Sequence, residues 1–300
     1  MSEIREILLN TKYLQRILTV KKGIRIAPKD WLISRMAETL LNRKRKDKMR
    51  TKAFTLIELL VVIAIIAILM GILLPSLRAA KDHARRVHCV HNVKTLALGW
   101  YMYQDEHDGD LVPGHTNPGN WVNRPPGNAT IEQKKQAIRD GLLLEYVGKS
   151  VDVYACPADQ RDKIPDQYTF RSYSIAGGAN GESWSGYTQA KKYIDLLRPA
   201  QRYIFLEEVD PRGYNVGSWQ MNPGSKTWVD PVAMWHNKQS TIGFADGHAV
   251  MHRWMDPHFI EWNLKAMDPG ASFSFNLSPP SDEREDIEYM AKGFPYKSLD

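Results

Sequence analysis

Cysteine is nearly absent: Cys89 and Cys156 are the two in 300 residues. The chain can therefore close at most one internal disulfide. An exported head would let the pair bond in an oxidising compartment; the other reading is two separate buried thiols. The usual marks of nucleotide and ester chemistry are also missing. The glycine- and serine-rich stretch at 177–186 lacks the Gly-Lys-Ser/Thr ending of a phosphate loop, and no Gly-x-Ser-x-Gly elbow occurs. No internal repeat is visible. No nucleophile–base arrangement can be read, so no catalytic residue is assigned and the chain is not expected to be an enzyme. Excess positive charge is missing from most of the chain as well. Of 40 Lys/Arg and 34 Asp/Glu, residues 1–53 hold 15 and 5, which leaves 25 and 29 for the remainder. The net +6 belongs to the first 53 residues, and no basic helix or binding motif follows, so no nucleic-acid partner is expected.

A long apolar run is present. Phe54 to Leu74 is interrupted by Thr55, Glu58 and Gly71 alone. As a helix it spans roughly 31 Å, enough to cross a lipid bilayer. No Ala-x-Ala site follows it, so it does not read as a cleaved secretory signal. Arg43-Lys44-Arg45-Lys46, Lys48, Arg50 and Lys52 directly precede it, and basic flanks of this kind stay cytoplasmic. Glu58 is the anomaly. A carboxylate at a helix centre in lipid costs about 2.5–3.5 kcal/mol, less near an end. It therefore needs a positive partner, and a free amine at Phe54 would supply one.

Residues 52–69, Lys-Ala-Phe-Thr-Leu-Ile-Glu-Leu-Leu-Val-Val-Ile-Ala-Ile-Ile-Ala-Ile-Leu, resemble the N-terminal signature of type IV prepilins and type II secretion pseudopilins. The resemblance implies cleavage between Ala53 and Phe54 by a prepilin peptidase, methylation of the new amine, and pairing of Glu58 with the amine of a neighbouring subunit. It also implies an inner-membrane, single-pass protein with its leader inside and its head outside. Two departures are visible. Ala53 stands where the family usually has Gly, and 53 residues is a long leader. Met49-Arg50-Thr51-Lys52-Ala53 would make an ordinary one, which suggests a start at Met49.

The expected organisation is a basic leader (1–53), a pilin-like helix (54–104, transmembrane at 54–74) and a globular head (105–300). The expected fold is α+β, a long helix leaning on an antiparallel sheet. Pro75 can kink the helix. Ala80, Ala84, Val87, Val90, Val93, Ala97 and Trp100 form its apolar face, and 105–114 ends it. In the head, 131–147 reads as helix, and 202–207, 240–245 and 249–254 as strands. Residues 281–300 are charged and expected to be loosely held.

Asp246-Gly247 is a hairpin signal, since the turn needs positive φ. His236, nine residues, then Asp246-Gly247 is similar to a His-x9-Asp-Gly pattern near the C-terminus of prepilin-like proteins of the planctomycete type. Cys89–Tyr103 and Tyr154–Asp159 resemble the same group. His236, Asp246, His248 and His252 are candidate metal ligands, for zinc or, through Asp246, calcium. The competing reading makes Asp246-Gly247 a turn, has His236 hydrogen-bond a backbone group nearby, and leaves no cofactor. His83, His88 and His91 read as a solvated or head-packed helix face, and Glu207-Glu208 as surface charge. Trp184, Trp219, Trp228, Trp235, Trp254 and Trp262 motivate an alternative function, a membrane-anchored polysaccharide-binding module, although core packing explains most tryptophans.

Overall fold

The structure, a computed structural model, describes residues 55–127, 129–161, 171–184, 186–211, 215–268 and 271–297. The expected leader, with Ala53 and Phe54, lies outside the described residues. The chain divides into two units between Ile68 and Leu69.

In the first unit the described residues are Thr55 and the opening turns of helix α1 (Leu56–Glu106). Every side chain from Thr55 to Ile68 is exposed. An 18-residue window of α1 reaches a mean hydropathy of 3.1 with nothing buried, long and apolar enough to cross a membrane. This segment and its exposure fit a single-pass membrane anchor. Pro75 lies inside α1, which continues as helix on both sides of it.

In the second unit α1 buries Cys89, Asn92, Val93, Leu96, Ala97, Gly99, Trp100, Tyr103 and Gln104. These recur at steps of three and four residues, as one face of a helix requires. The expected apolar face is corrected at its upstream end. Ala80, Ala84 and Val87 are exposed, because α1 buries side chains only from Cys89 onward. The helix stops where Asp108 and Gly109 take positive φ and the Gly109 N–H donates to the Gln104 carbonyl at 2.9 Å, a left-handed cap.

α1 packs on a four-stranded antiparallel sheet built from β1 (Tyr173–Ile175), β2 (Tyr203–Glu207), β5 (Gln239–Phe244) and β6 (Ala249–Arg253), in the order β1-β2-β5-β6. The fold is α+β and pilin-like. A short ribbon of β3 (Met221–Asn222) and β4 (Thr227–Trp228) lies outside this sheet. Gly243 on β5 marks the closest approach of α1. A Cβ there would stand 2.6 Å from Val93 Cγ1, so a larger residue would push the helix off the sheet.

The β5–β6 hairpin turns at Ala245-Asp246-Gly247. Phe244 N–H donates to the His248 carbonyl and Gly247 N–H to that of Phe244, with Gly247 at φ +88°. The glycine requirement was legible, but the loop has three residues rather than two.

The expected helix at 131–147 splits into α2 (Ile131–Arg139), capped by Thr130, and a 3₁₀ turn at Leu144–Val147. The break falls at Gly141, which abuts the Trp121 backbone and has no room for a Cβ. Two further helices follow, α3 (Pro257–Ala266) and α4 (Glu285–Gly293). The tail is not loosely held over α4. Ile287 and Met290 are fully buried, and the Asp286 carboxylate accepts the N–H groups of Met255 and Asp256, both at 2.8 Å. Those long-range partners are invisible in a charged stretch of sequence.

Two large core clusters and a smaller one around Val209, Ala233 and Ala266 hold the second unit together. The first large cluster joins α1 to the sheet through Val93, Leu96, Trp100, Trp121 and Phe205; the second gathers Trp219, Trp228, Trp254, Phe259 and Phe294. Leu96→Ala removes a fully buried side chain from the first. It is expected to cost about 2–5 kcal/mol, read as a lower midpoint in denaturant unfolding of the purified full chain.

Candidate functional site

The N-terminus of α1 is organised by its own side chains. The Thr55 N–H and hydroxyl both donate to Glu58 Oε2 at 2.8 Å, and the Glu58 N–H donates to Thr55 Oγ1 at 3.3 Å. This is a capping box, with Thr55 as N-cap and Glu58 as the third helical residue. It satisfies backbone donors that a helix start leaves open and places a carboxylate at the positive end of the helix dipole. The Thr-x-x-Glu spacing ahead of an apolar run is a sequence signal for this arrangement, additional to the pairing role expected of Glu58. The carboxylate stays exposed, so it is accessible to a further partner.

The second candidate region lies where α1 meets the sheet. Cys89 on α1 and Cys156 come together with their sulfurs 2.6 Å apart, both buried, hydrogen-bonded to each other and not joined in a disulfide. Asn92, one turn beyond Cys89, donates from Nδ2 to the Ala155 carbonyl at 3.0 Å and so ties the Cys156 loop to the helix. Ser172 pins the same loop from the other side. Its hydroxyl accepts the Cys156 N–H at 2.9 Å and donates to Asp159 at 2.8 Å. Within the turn the Ala158 N–H donates to the Cys156 sulfur at 3.4 Å.

His236 joins this pair rather than the hairpin. Its Nε2 stands 3.3 Å from Cys156 Sγ and 3.1 Å from Glu207 Oε1. Left-handed backbone at Asn237 and Lys238, φ 58° and 59°, sets the bend between His236 and β5. Glu207 ends β2 with no exposure, and its Oε2 accepts the Thr241 N–H at 3.0 Å. Among the described residues, Cys89, Cys156, Glu207 and His236 form the one group of three or more metal-type donors that converges, their atoms all within 4.8 Å of one another. Burial pushes the Cys156 thiol up, and the Cys89 hydrogen bond and the Glu207 charge add to the rise. Burial alone would lower His236, but its contacts with Cys156 and Glu207 outweigh that and raise it to about 10.

The expected set of His236, Asp246, His248 and His252 is thus divided. Asp246 Oδ1 and His248 Nδ1 pair with each other at 2.5 Å in the half-exposed turn, with the His248 ring stacked on Phe244. His252 stacks on Tyr289 at 4.2 Å. The partners of His236 come from elsewhere in the chain, not from the hairpin. His83, His88 and His91 are exposed, a solvated rather than a head-packed face.

Glu207 and Glu208 do point apart, yet both are buried, not surface charge. Glu208 receives the Ser174 hydroxyl. Burial raises it from its ordinary value of 4.5 to about 7, against the lowering effect of Arg171. Between those two values the folded state keeps a proton that the unfolded state has released, so this group makes stability fall as pH climbs from about 4.5 to 7. Glu208→Gln is expected to flatten that part of the profile. Thermal unfolding of both proteins at pH 5 and pH 8 tests it, and an unchanged difference between the two pH values would rule the assignment out.

Compared with known proteins, residues 48–74 match the family model described as "Prokaryotic N-terminal methylation motif". The match begins just before the expected cut and covers the exposed apolar turns of α1. It supports a prepilin-type precursor, of the type IV pilin or pseudopilin kind. No curated protein and no solved structure gives a significant match to the chain.

Proposed function

We propose that the chain is a prepilin-like or pseudopilin-like structural subunit, acting by assembly and not by catalysis. A prepilin peptidase cleaves it between Ala53 and Phe54 and methylates the Phe54 amine. The mature chain then assembles through its N-terminal helix with other pilin-like subunits, in a type II secretion or type IV pilus-like system. Before cleavage it sits in the inner membrane as a single-pass protein, basic leader in the cytoplasm and head in the periplasm or at the cell surface. The observation that carries this reading is the methylation-motif match at residues 48–74, set on a helix whose first turns bury nothing.

The geometry at Glu58 supports the same reading. Thr55 gives the carboxylate two donors while the subunit is alone, which lowers the cost of holding it beside lipid. A neighbour's methylated amine then offers a full positive charge, and in a medium of low dielectric that attraction is strong. The polysaccharide-binding alternative loses most of its basis. Trp219, Trp228 and Trp254 are fully buried, and Trp235 and Trp262 pack partly buried against core clusters. Of the six, Trp184 keeps an exposed ring.

N-terminal mass spectrometry of the protein from native membranes is expected to find N-methyl-Phe54. A terminus at Met1 or Met49 would reduce the segment to an anchor. In assembly assays Glu58→Ala is expected to be processed but not incorporated. Thr55→Ala loses the cap, about 1 kcal/mol, and is expected still to assemble. Equal loss in both variants would assign Glu58 to capping alone.

A further inference from the structure

Four donor atoms from four separated stretches meet beneath α1. Cys89 arrives on the helix, Cys156 on the Cys-Pro-Ala-Asp turn, Glu207 at the end of β2 and His236 on the bend before β5. All four residues are at most 4% exposed. We infer that this cluster binds a transition-metal ion of the zinc type in four-coordinate geometry, joining α1 to the sheet.

The donor chemistry selects the ion. Two sulfurs, one imidazole nitrogen and one carboxylate suit zinc-like metals. Calcium takes six to eight oxygens, and here one carboxylate offers two, of which Oε2 is occupied by the Thr241 N–H. The imidazole gives the second argument. Its Nε2 faces Cys156 Sγ and Glu207 Oε1 at similar distances, 3.3 and 3.1 Å. One ring nitrogen cannot bond fully to both, whereas an ion among the three would satisfy each. The third argument is the surroundings of Cys156. The Ala158 N–H points at its sulfur, and Asn92 and Ser172 fix the turn that carries it. Hydrogen bonds onto a ligand sulfur favour its thiolate form and orient it. Finally, Glu207 is a wholly buried carboxylate beside two sulfurs, and a divalent ion would offset most of the negative charge of the carboxylate and two thiolates.

The size also fits after a small adjustment. Metal–ligand bonds of about 2.0–2.3 Å in a tetrahedron set ligand atoms about 3.3–3.8 Å apart. The present separations run from 2.6 Å between the sulfurs up to a limit of 4.8 Å, on either side of that range. Side-chain shifts of about 1 Å bring the donors onto an ion. The competing use of the same residues is a Cys89–Cys156 disulfide. It would remove two donors and leave His236 and Glu207 as a buried ion pair. The inference does not rest on cleavage at Phe54 and holds for processed and unprocessed chain alike.

The test uses the full chain, purified in detergent without chelator. Elemental analysis is paired with a thiol count on denatured, unreduced protein with chelator added. The expected result is about one zinc-type ion per chain together with two titratable thiols. Replacement by cobalt is expected to give the intense visible bands of a tetrahedral site and a thiolate-to-cobalt charge-transfer band. Cys89→Ser should retain the far-ultraviolet circular dichroism of the parent and lose about half of the charge-transfer intensity, as expected when one of two thiolate ligands goes. His236→Ala and Glu207→Gln should weaken cobalt binding by about tenfold or more. No ion with no free thiols would replace the site by a disulfide. No ion with two free thiols, or cobalt bound without the charge-transfer band, would equally overturn it.

Discussion

A carboxylate taken out of water must meet donors or a cation, because leaving its charge uncompensated costs several kcal/mol. Glu207 is in that position, with no exposed surface. The strand that carries it ends there, and the Thr241 N–H that could have continued the β2–β5 ladder turns to its side chain instead. His236 is bent inward by two left-handed residues to face it. The Cys156 turn is tied to α1 on one side and to Ser172 on the other. Two loops, one helix and β5 are thus positioned around a single buried carboxylate.

The same helix serves two environments along its length. From Thr55 to Ile68 it presents apolar side chains on all sides and buries none, the pattern of a helix meant for lipid rather than for a protein core. From Cys89 onward it carries a stripe at three- and four-residue spacing that packs on the sheet. Gly243 allows the close contact, and Val93, Leu96 and Trp100 fill it. The polar groups follow this division. Glu58 is exposed and held by a neighbour three residues away, whereas Glu207 is buried and held by residues far along the chain.

That division also decides what was legible. The apolar run, the anomalous glutamate and the glycine turn are local patterns, and each appears where its residues implied. Helix and strand periodicity located α1 and the strands β2, β5 and β6 to within two residues. Errors fell where a local pattern met a distant partner. Gly141 broke an expected helix against the Trp121 backbone. Asp286 anchored an expected loose tail through Met255 and Asp256. Glu207 and Glu208 were buried instead of exposed, because their partners lie on other segments.

The sequence by itself determined an apolar helix fit for a membrane, preceded by a methylation-type motif, and an α+β head, because hydropathy, spacing and turn chemistry act between near neighbours. Only the tertiary structure decided which titratable groups meet. Cys89 and Cys156 stand 67 residues apart, and Cys156 and His236 stand 80 apart. Spacing over such distances carries no geometry until α1 is laid on the sheet. The His-x9-Asp-Gly pattern shows the difference plainly: its Asp-Gly half is a local turn, while its histidine belongs to a cluster that folding alone assembles.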